Sequence, residues 1–374
     1  MSTEVVRSLV LTMQALGYDA DSAGLYIWLL VQGPRTPARL ESDVGLVGAA
    51  LRVPVARLVS DGLVFEDRDG HQTIWYCFDP AISWLSLAAE ETWSLVSSLN
   101  TLDDLPSTGR PEVDERCRLL LLARELATSS WRASGGATRH RHTRAPNMRI
   151  LTRLVLEAVH QASTRVRAIS AAPKISSASA FWPVMHPKLR AGLEYLRLAD
   201  LTEVHEHGLT IVGRDLADGV QLRIRERERL AGSRGYLADR RILVKYDEVA
   251  AGLAPTTGVL LTQKHAIERF IKTFNGLWPD GLPAQDVIAD LRARSGDLRD
   301  LAVGLGSDAQ TWLDGLIEWG RFCTEPAQGA WSDEYQRELL DRLRASGAVV
   351  INEEGRPLPA WPDPQVHYEQ LAGQ

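Results

Sequence analysis

Four runs set the fold: VRAISAAP (residues 166–173), DGVQLRI (218–224), RRILVKYDEVA (240–250) and VLLTQKHAIERFIKTFNGLW (259–278). The first three are short and rich in branched or alternating apolar residues, as strands are. The last runs from a strand into a helix with apolar residues at three- and four-residue spacing. Short strand runs leading into an amphipathic helix are the pattern of an α/β layer.

Outward from that centre, 374 residues suffice for several domains and a sizeable core. The net charge of −6 hides an uneven spread. Residues 147–279 hold 20 Lys and Arg against 13 Asp and Glu, whereas 1–82 hold 6 against 10 and 280–374 hold 8 against 17. A basic centre between acidic ends restricts where a polyanion can sit. The N-terminus lacks an apolar leader, and no apolar run nears the ~20 residues of a membrane span. A cytoplasmic protein without membrane contact is expected. Cys77, Cys117 and Cys323 stand apart, so neither a disulfide framework nor a metal site is expected. No nucleotide loop, zinc motif or hydrolase elbow is present, and no cofactor is implied.

Residues 1–82 read as a winged helix. Amphipathic runs at 8–17 and 21–33 precede Thr36-Pro37, a cap with proline at the first helical position. VARLVSDGLVFE then runs from a third helix into a strand, and Asp69-Gly70 marks the turn of a hairpin. Pro54 expects a short reading helix that begins at that proline. Arg39, Arg52 and Arg57 are the candidate phosphate contacts. Residues 83–146 read as a helical spacer followed by a basic loop, SSWRASGGATRHRHTRAPN. The spacer helices carry an apolar face without an evident partner, so a homodimer is expected.

This order resembles TrmB-like transcription regulators with a phospholipase-D-like sensor domain. Those regulators share the winged helix ending in Asp79-Pro80, the helix feeding a strand at 148–169 and the sheet that follows. The resemblance implies DNA as a partner and an unknown small acidic ligand or peptide at the sensor. Catalytic phospholipase D enzymes carry H-x-K-x4-D. Placed by Asp247, that motif falls on Arg240 and Ile242. Arginine stays protonated and cannot replace the nucleophilic His, so a catalytically dead sensor is expected. Its ligand candidates are Trp182 and His186, in a loop after the first strand, with Arg240 and Arg241 at strand ends. His205 and His207 read as one face of a strand. In the actinobacterial branch of this resemblance a LuxR-type helix-turn-helix follows. Ala302, Gly306 and Thr311 have its spacing, and Gln310, Thr311 and Arg321 would face DNA. Asp308, Asp314 and Glu318 stand where phosphate contacts belong, which makes that module a poor reader. GRPLPAWPDP (355–364) reads as an extended proline-rich tail.

The whole is an α/β multidomain chain: winged helix (1–82), helical spacer (83–146), phospholipase-D-like α/β domain (147–279) and mostly helical C-terminal module (280–374). The leading reading is a ligand-responsive transcription regulator. The alternative is a protein- or peptide-binding module that has lost DNA binding, for which the acidic C-terminus and Trp312, Trp319 and Trp331 speak.

Overall fold

The computed structural model describes residues 3–69, 72–91, 111–133, 142–145, 148–170, 181–246, 258–320, 333–352 and 357–373. Helices α1 (Thr3–Ala15), α2 (Ala20–Gln32), α3 (Pro37–Val44) and α4 (Ala49–Ser60) precede the hairpin of β1 (Val64–Asp69) and β2 (Gln72–Cys77). Asp19 caps α2 by accepting from Ser22 N at 2.7 Å. Arg35 bridges to Trp75 beside the hairpin. Contrary to the expectation from Pro54, α4 begins at Ala49 and runs through the proline. Pro54 lies in its second turn and is buried with Leu51, Val55 and Leu58, so packing offsets the missing hydrogen bond.

Helices α5 (Pro80–Glu91) and α6 (Pro111–Ala133) fold back onto this head. Leu120, Ala123 and Ala127 of α6 share one core with Leu9, Met13, Leu25 and Tyr26. These residues of the spacer pack within the chain, while Leu122 of α6 stays exposed. The apolar face that called for a homodimer also runs through Trp93, Leu95, Val96 and Leu99, which lie outside the described residues. The basic loop is corrected at both ends. Residues through Ala133 are helical, and β3 (His142–Ala145) is an edge strand. His140 lies outside the described residues.

The central sheet has eight strands in the order β10-β6-β5-β4-β7-β8-β9-β3. Strands β4 (Arg165–Ile169), β5 (Glu194–Ala199) and β6 (Val220–Ile224) are parallel. Strands β7 (Gly235–Ala238), β8 (Ile242–Tyr246) and β9 (Gly258–Leu261) continue the sheet antiparallel. One face is covered by α7 (Met148–Gln161), α8 (Phe181–Arg190) and α10 (Leu209–Ala217), the other by α12 (Lys264–Leu277). The short helices α9 (Leu201–His207) and α11 (Arg227–Leu230) sit at strand ends. Residues 205 and 207 are therefore helical rather than on a strand. Asp200 caps α9, which draws the alternating run into a helix. At residue 280 the chain stays with the sheet, because β10 (Leu282–Pro283) pairs with β6.

The C-terminal part comprises α13 (Ala284–Ala302), α14 (Ser307–Trp319), α15 (Asp333–Ala345), a hairpin of β11 (Val349–Ile351) and β12 (Pro357–Pro359), and α16 (Pro364–Ala372). The expected extended tail is thus a strand and a helix, capped by Asp363.

Its second half repeats the head. α4 ends on Gly62 (φ 67) and α15 on Gly347 (φ 81), both left-handed. Leu63 N bonds Leu58 O at 2.9 Å, and Ala348 N bonds Leu343 O at 3.1 Å. Each hairpin then leads to an Asp-Pro pair whose Oδ1 accepts the second following N–H at 2.9 Å, from Ala81 to Asp79 and from Gln365 to Asp363.

Candidate functional site

Helix α4 turns Leu51, Val55 and Leu58 inward and leaves Ala49, Ala50, Arg52, Val53, Ala56 and Arg57 exposed. It contains two arginines and no carboxylate. Arg39 on α3 and Arg52 on α4 are exposed and make no ion pair among the described residues. Arg57 differs. Its guanidinium lies 4.7 Å from the Tyr18 ring centroid and 3.9 Å from Asp19 Oδ2. It clamps α4 to the α1–α2 turn, so of the three expected phosphate contacts two are free.

The head is fastened to the sheet by α7. Arg153, 1% exposed, donates through Nη1 to Ser83 O at 2.7 Å and Ile82 O at 3.2 Å, with Nη2 toward Asp61 O at 3.5 Å. One turn on, Glu157 accepts from Asp79 N. These two side chains at i, i+4 hold Asp79 and the first turn of α5.

The C-terminal reading helix is placed otherwise than expected. In α14, Ala309, Trp312, Leu313, Leu316 and Ile317 are buried. Gln310 is half-buried, and Thr311 Oγ1 donates to Ser307 O at 2.9 Å. Asp314 and Glu318, both partly exposed, pair with Arg299 at 2.6 and 3.1 Å, and Thr210 Oγ1 donates to Glu318 at 2.8 Å. The carboxylates that opposed phosphate binding serve the seam between α13, α14 and α10. Arg321 and Trp331 lie outside the described residues. Trp312 is core, while Trp319 is exposed.

The four expected ligand residues do not converge. Trp182 and His186 belong to α8 rather than a loop, and both are buried in the core. Their rings stack at 5.1 Å, and His186 Nε2 lies 3.0 Å from Asp218 Oδ2. Burial holds the His186 imidazolium below its usual range, against the pull of Asp218. Arg240 and Arg241 are exposed in the β7–β8 turn, where Asp239 and Arg240 both have positive φ. Strand pairing puts that turn at the N-terminal end of β4, away from the crevice ends of the parallel strands. Asp239 accepts from Ser163 N, Thr164 N and Arg165 N at 2.6, 2.9 and 2.8 Å. Burial works to raise its carboxyl, but these N–H donors hold it well below the usual range. Asp247 lies outside the described residues. Counted back from Asp239, the H-x-K-x4-D spacing meets Gly232 and Arg234, again without His.

A charged centre lies at the C-terminal ends of the parallel strands, where sequence reading placed no residue. Ser170, Arg197, Asp200, Glu203, Asp215 and Arg234 are each less than a tenth exposed. Glu203 pairs with Arg197 and accepts from Ser170 Oγ at 3.0 Å, while Arg197 Nε donates to the same Oγ at 3.1 Å. Burial pushes the Asp200 carboxyl up to about 6, against Arg227 and Arg234, and that of Asp215 up to about 7, against Arg197 and Arg214. One signal was available. Tyr195 and Arg197 share a strand face by two-residue alternation, so an arginine inside was legible once β5 was placed. A cleft of about 260 Å³ adjoins this centre, between Asp200, Arg225 and Arg227 and the start of α16 at Asp363, Gln365 and Tyr368. Among the described residues no group of three or more His, Cys, Asp or Glu could hold a metal ion. None of the described helices is long and apolar enough to cross a membrane.

No family model matches the chain, and no curated protein is similar to it. Among solved structures, one similar chain is TrmBL2, described as an archaeal chromatin protein with a novel mode of DNA binding. It is 14% identical, with a TM-score of 0.33, over 75% of this chain and 100% of that one. Another is Nuc, a phospholipase D family member from Salmonella typhimurium, 14% identical with a TM-score of 0.28, over 38% of this chain and 95% of that one. Both are distant structural neighbours.

Proposed function

We propose that the chain is a DNA-binding, ligand-responsive regulator whose phospholipase-D-like part senses and does not hydrolyse. The observation that carries this is the exposed face of α4. It offers small side chains and Arg52, with no carboxylate on α4 itself, and Arg39 is exposed on α3. A close-approaching helix with free guanidiniums suits a groove and its phosphates. The Arg153–Glu157 hook ties that surface to α7, which packs on β7 and β8. A ligand in the cleft between the strand ends and α16 would act on the head through these packed elements.

The test is retention of short duplex DNA at low salt by fluorescence anisotropy. Binding is expected, with a log–log salt slope that flattens by roughly 0.9 for each of Arg39→Ala and Arg52→Ala. No retention at low salt would reject the DNA reading. A protein or peptide partner on the same surface would then be the better account, favoured by Val47 and Val53, each 68% exposed.

A further inference from the structure

The outer face of the sheet carries a second cleft, about 390 Å³ in volume, whose walls include Leu196, Gln221, Phe274, Asn275 and Trp278. It lies over β4, β5 and β6, beside the C-terminal half of α12, on the side opposite α7 and α8. Two arginines of β4, Arg165 and Arg167, line it from below. They alternate onto the same strand face.

Their situations differ. Arg165 is spent on Glu194, whose Oε2 takes both its Nε and its Nη2. Arg167 is 9% exposed and has neither an ion pair nor a hydrogen bond among the described residues. The Phe274 ring centroid, 5.9 Å from its guanidinium carbon, is the nearest compensation. Burial disfavours its charge, and Arg165 and Arg240 add repulsion that Glu194 only partly offsets. The guanidinium nitrogens of Arg167 still reach the cleft, and an anion there would offset what partial burial costs the charge.

The rest of the cleft is lined by Leu196, Phe274 and Trp278 and by the side-chain amides of Gln221 and Asn275. Trp278 is held in place by Arg223, which stacks 5.4 Å from its ring and donates to Trp278 O, Pro279 O and Gly281 O at 3.2, 2.9 and 3.0 Å. Phe274 stacks on Trp278 at 5.2 Å. Two arginines against one glutamate leave a single surplus positive charge among the lining side chains, which matches a monoanion. A planar guanidinium fork suits a carboxylate.

We propose that this cleft binds a small monocarboxylate with a ring-bearing apolar body, its carboxylate on Arg167 and its body against Leu196, Phe274 and Trp278. The cleft lies apart from the charged centre and from the reading helix, so the measurement needs neither DNA nor an operator.

The probe is phenylacetate, with phenylacetamide as its neutral isostere, followed by saturation-transfer NMR and calorimetry on the full chain. Phenylacetate is expected to bind saturably with Kd of about 1 mM or below, and phenylacetamide at least about tenfold more weakly. Arg167→Gln should lose binding about tenfold or more, and Arg167→Lys should lose less. Arg241→Gln, an exposed charge on the β7–β8 turn, should leave it unchanged. Leu196→Trp keeps every charge but fills the cleft, and should abolish binding even if Arg167→Gln fails to fold. The proposal is overturned by equal binding of the amide, by unchanged binding in Arg167→Gln or Leu196→Trp, by an equal loss in Arg241→Gln, or by no saturable binding at about 10 mM.

Discussion

Asp215 shows how a single residue sets a pH response. Its carboxyl is pushed up to about 7 in the fold by burial, against 3.8 for a free one. Between those values the unfolded chain has lost the proton and the folded chain still holds it. Stability therefore falls as pH rises from about 4 to about 7, and levels off above. Asp215→Asn should remove that fall, giving a gain on the order of 3 kcal/mol at pH 7 relative to pH 4. Urea titrations at the two pH values check it, and a difference curve flat in pH would refute it. His205 has the opposite sign. Burial, aided by His367, lowers its imidazolium to about 3, so its contribution is lost as pH falls below about 6.5. Catalysis is also decided at single positions. If the sheet follows the phospholipase D pattern, as proposed, Gly232 and Arg234, or Arg240 and Ile242, stand where the motif requires His and Lys, and no covalent phosphohistidine is expected. Hydrolysis of a chromogenic phosphodiester is expected at background, and an activity abolished by Asp239→Ala or Asp247→Ala would contradict this.

At the scale of elements, the repeated helix–glycine–hairpin unit gives a paired prediction. Gly62 and Gly347 hold the same left-handed cap, so Ala at either should cost about 1 kcal/mol of strain. A Cβ on Gly62 would also come within 2.9 Å of Arg153 Nε, whereas one on Gly347 meets nothing within 4 Å. Gly62→Ala should therefore be the more destabilising of the two in urea denaturation, because it disturbs the hook to α7. Helix α4 gives a second contrast. Arg57→Ala should lower stability by about 1 kcal/mol through loss of its contact with Tyr18, and leave the salt slope of any DNA binding unchanged. Arg52→Ala should do the reverse.

For the whole molecule, Gly208 decides how the C-terminal part meets the sheet. With φ at 80°, it lies between α9 and α10, and an added Cβ would fall 2.4 Å from Gly320 N and 2.6 Å from Glu318 O. These are backbone atoms that cannot swing away, so α14 must move as a body. The same seam holds the buried contact of His205 Nε2 with His367 Nδ1 at 3.3 Å, and His367 Nε2 lies 2.7 Å from Asp290. Gly208→Ala should raise amide exchange across α14 and α16 while β4 and β5 stay protected. Uniform protection in the variant would show that the seam is not what orders the C-terminal part.

Periodicity along the chain was enough to determine a mixed α/β protein with a helical head, a hairpin at residues 64–77 and a central sheet followed by an amphipathic helix. These are local properties, set by which residues alternate and which recur each turn. It was not enough where capping and long-range packing compete with pattern. Asp200 turned an alternating run into α9, α8 formed through prolines read as a loop, and Asp363 gave the proline-rich tail a helix. The candidate sites were the least legible part. An arginine reads the same whether it waits at a surface like Arg52, clamps a turn like Arg57, or lines a cleft without an ion pair like Arg167. What separates them is the dielectric and the neighbours each one meets, and only the tertiary fold supplies those.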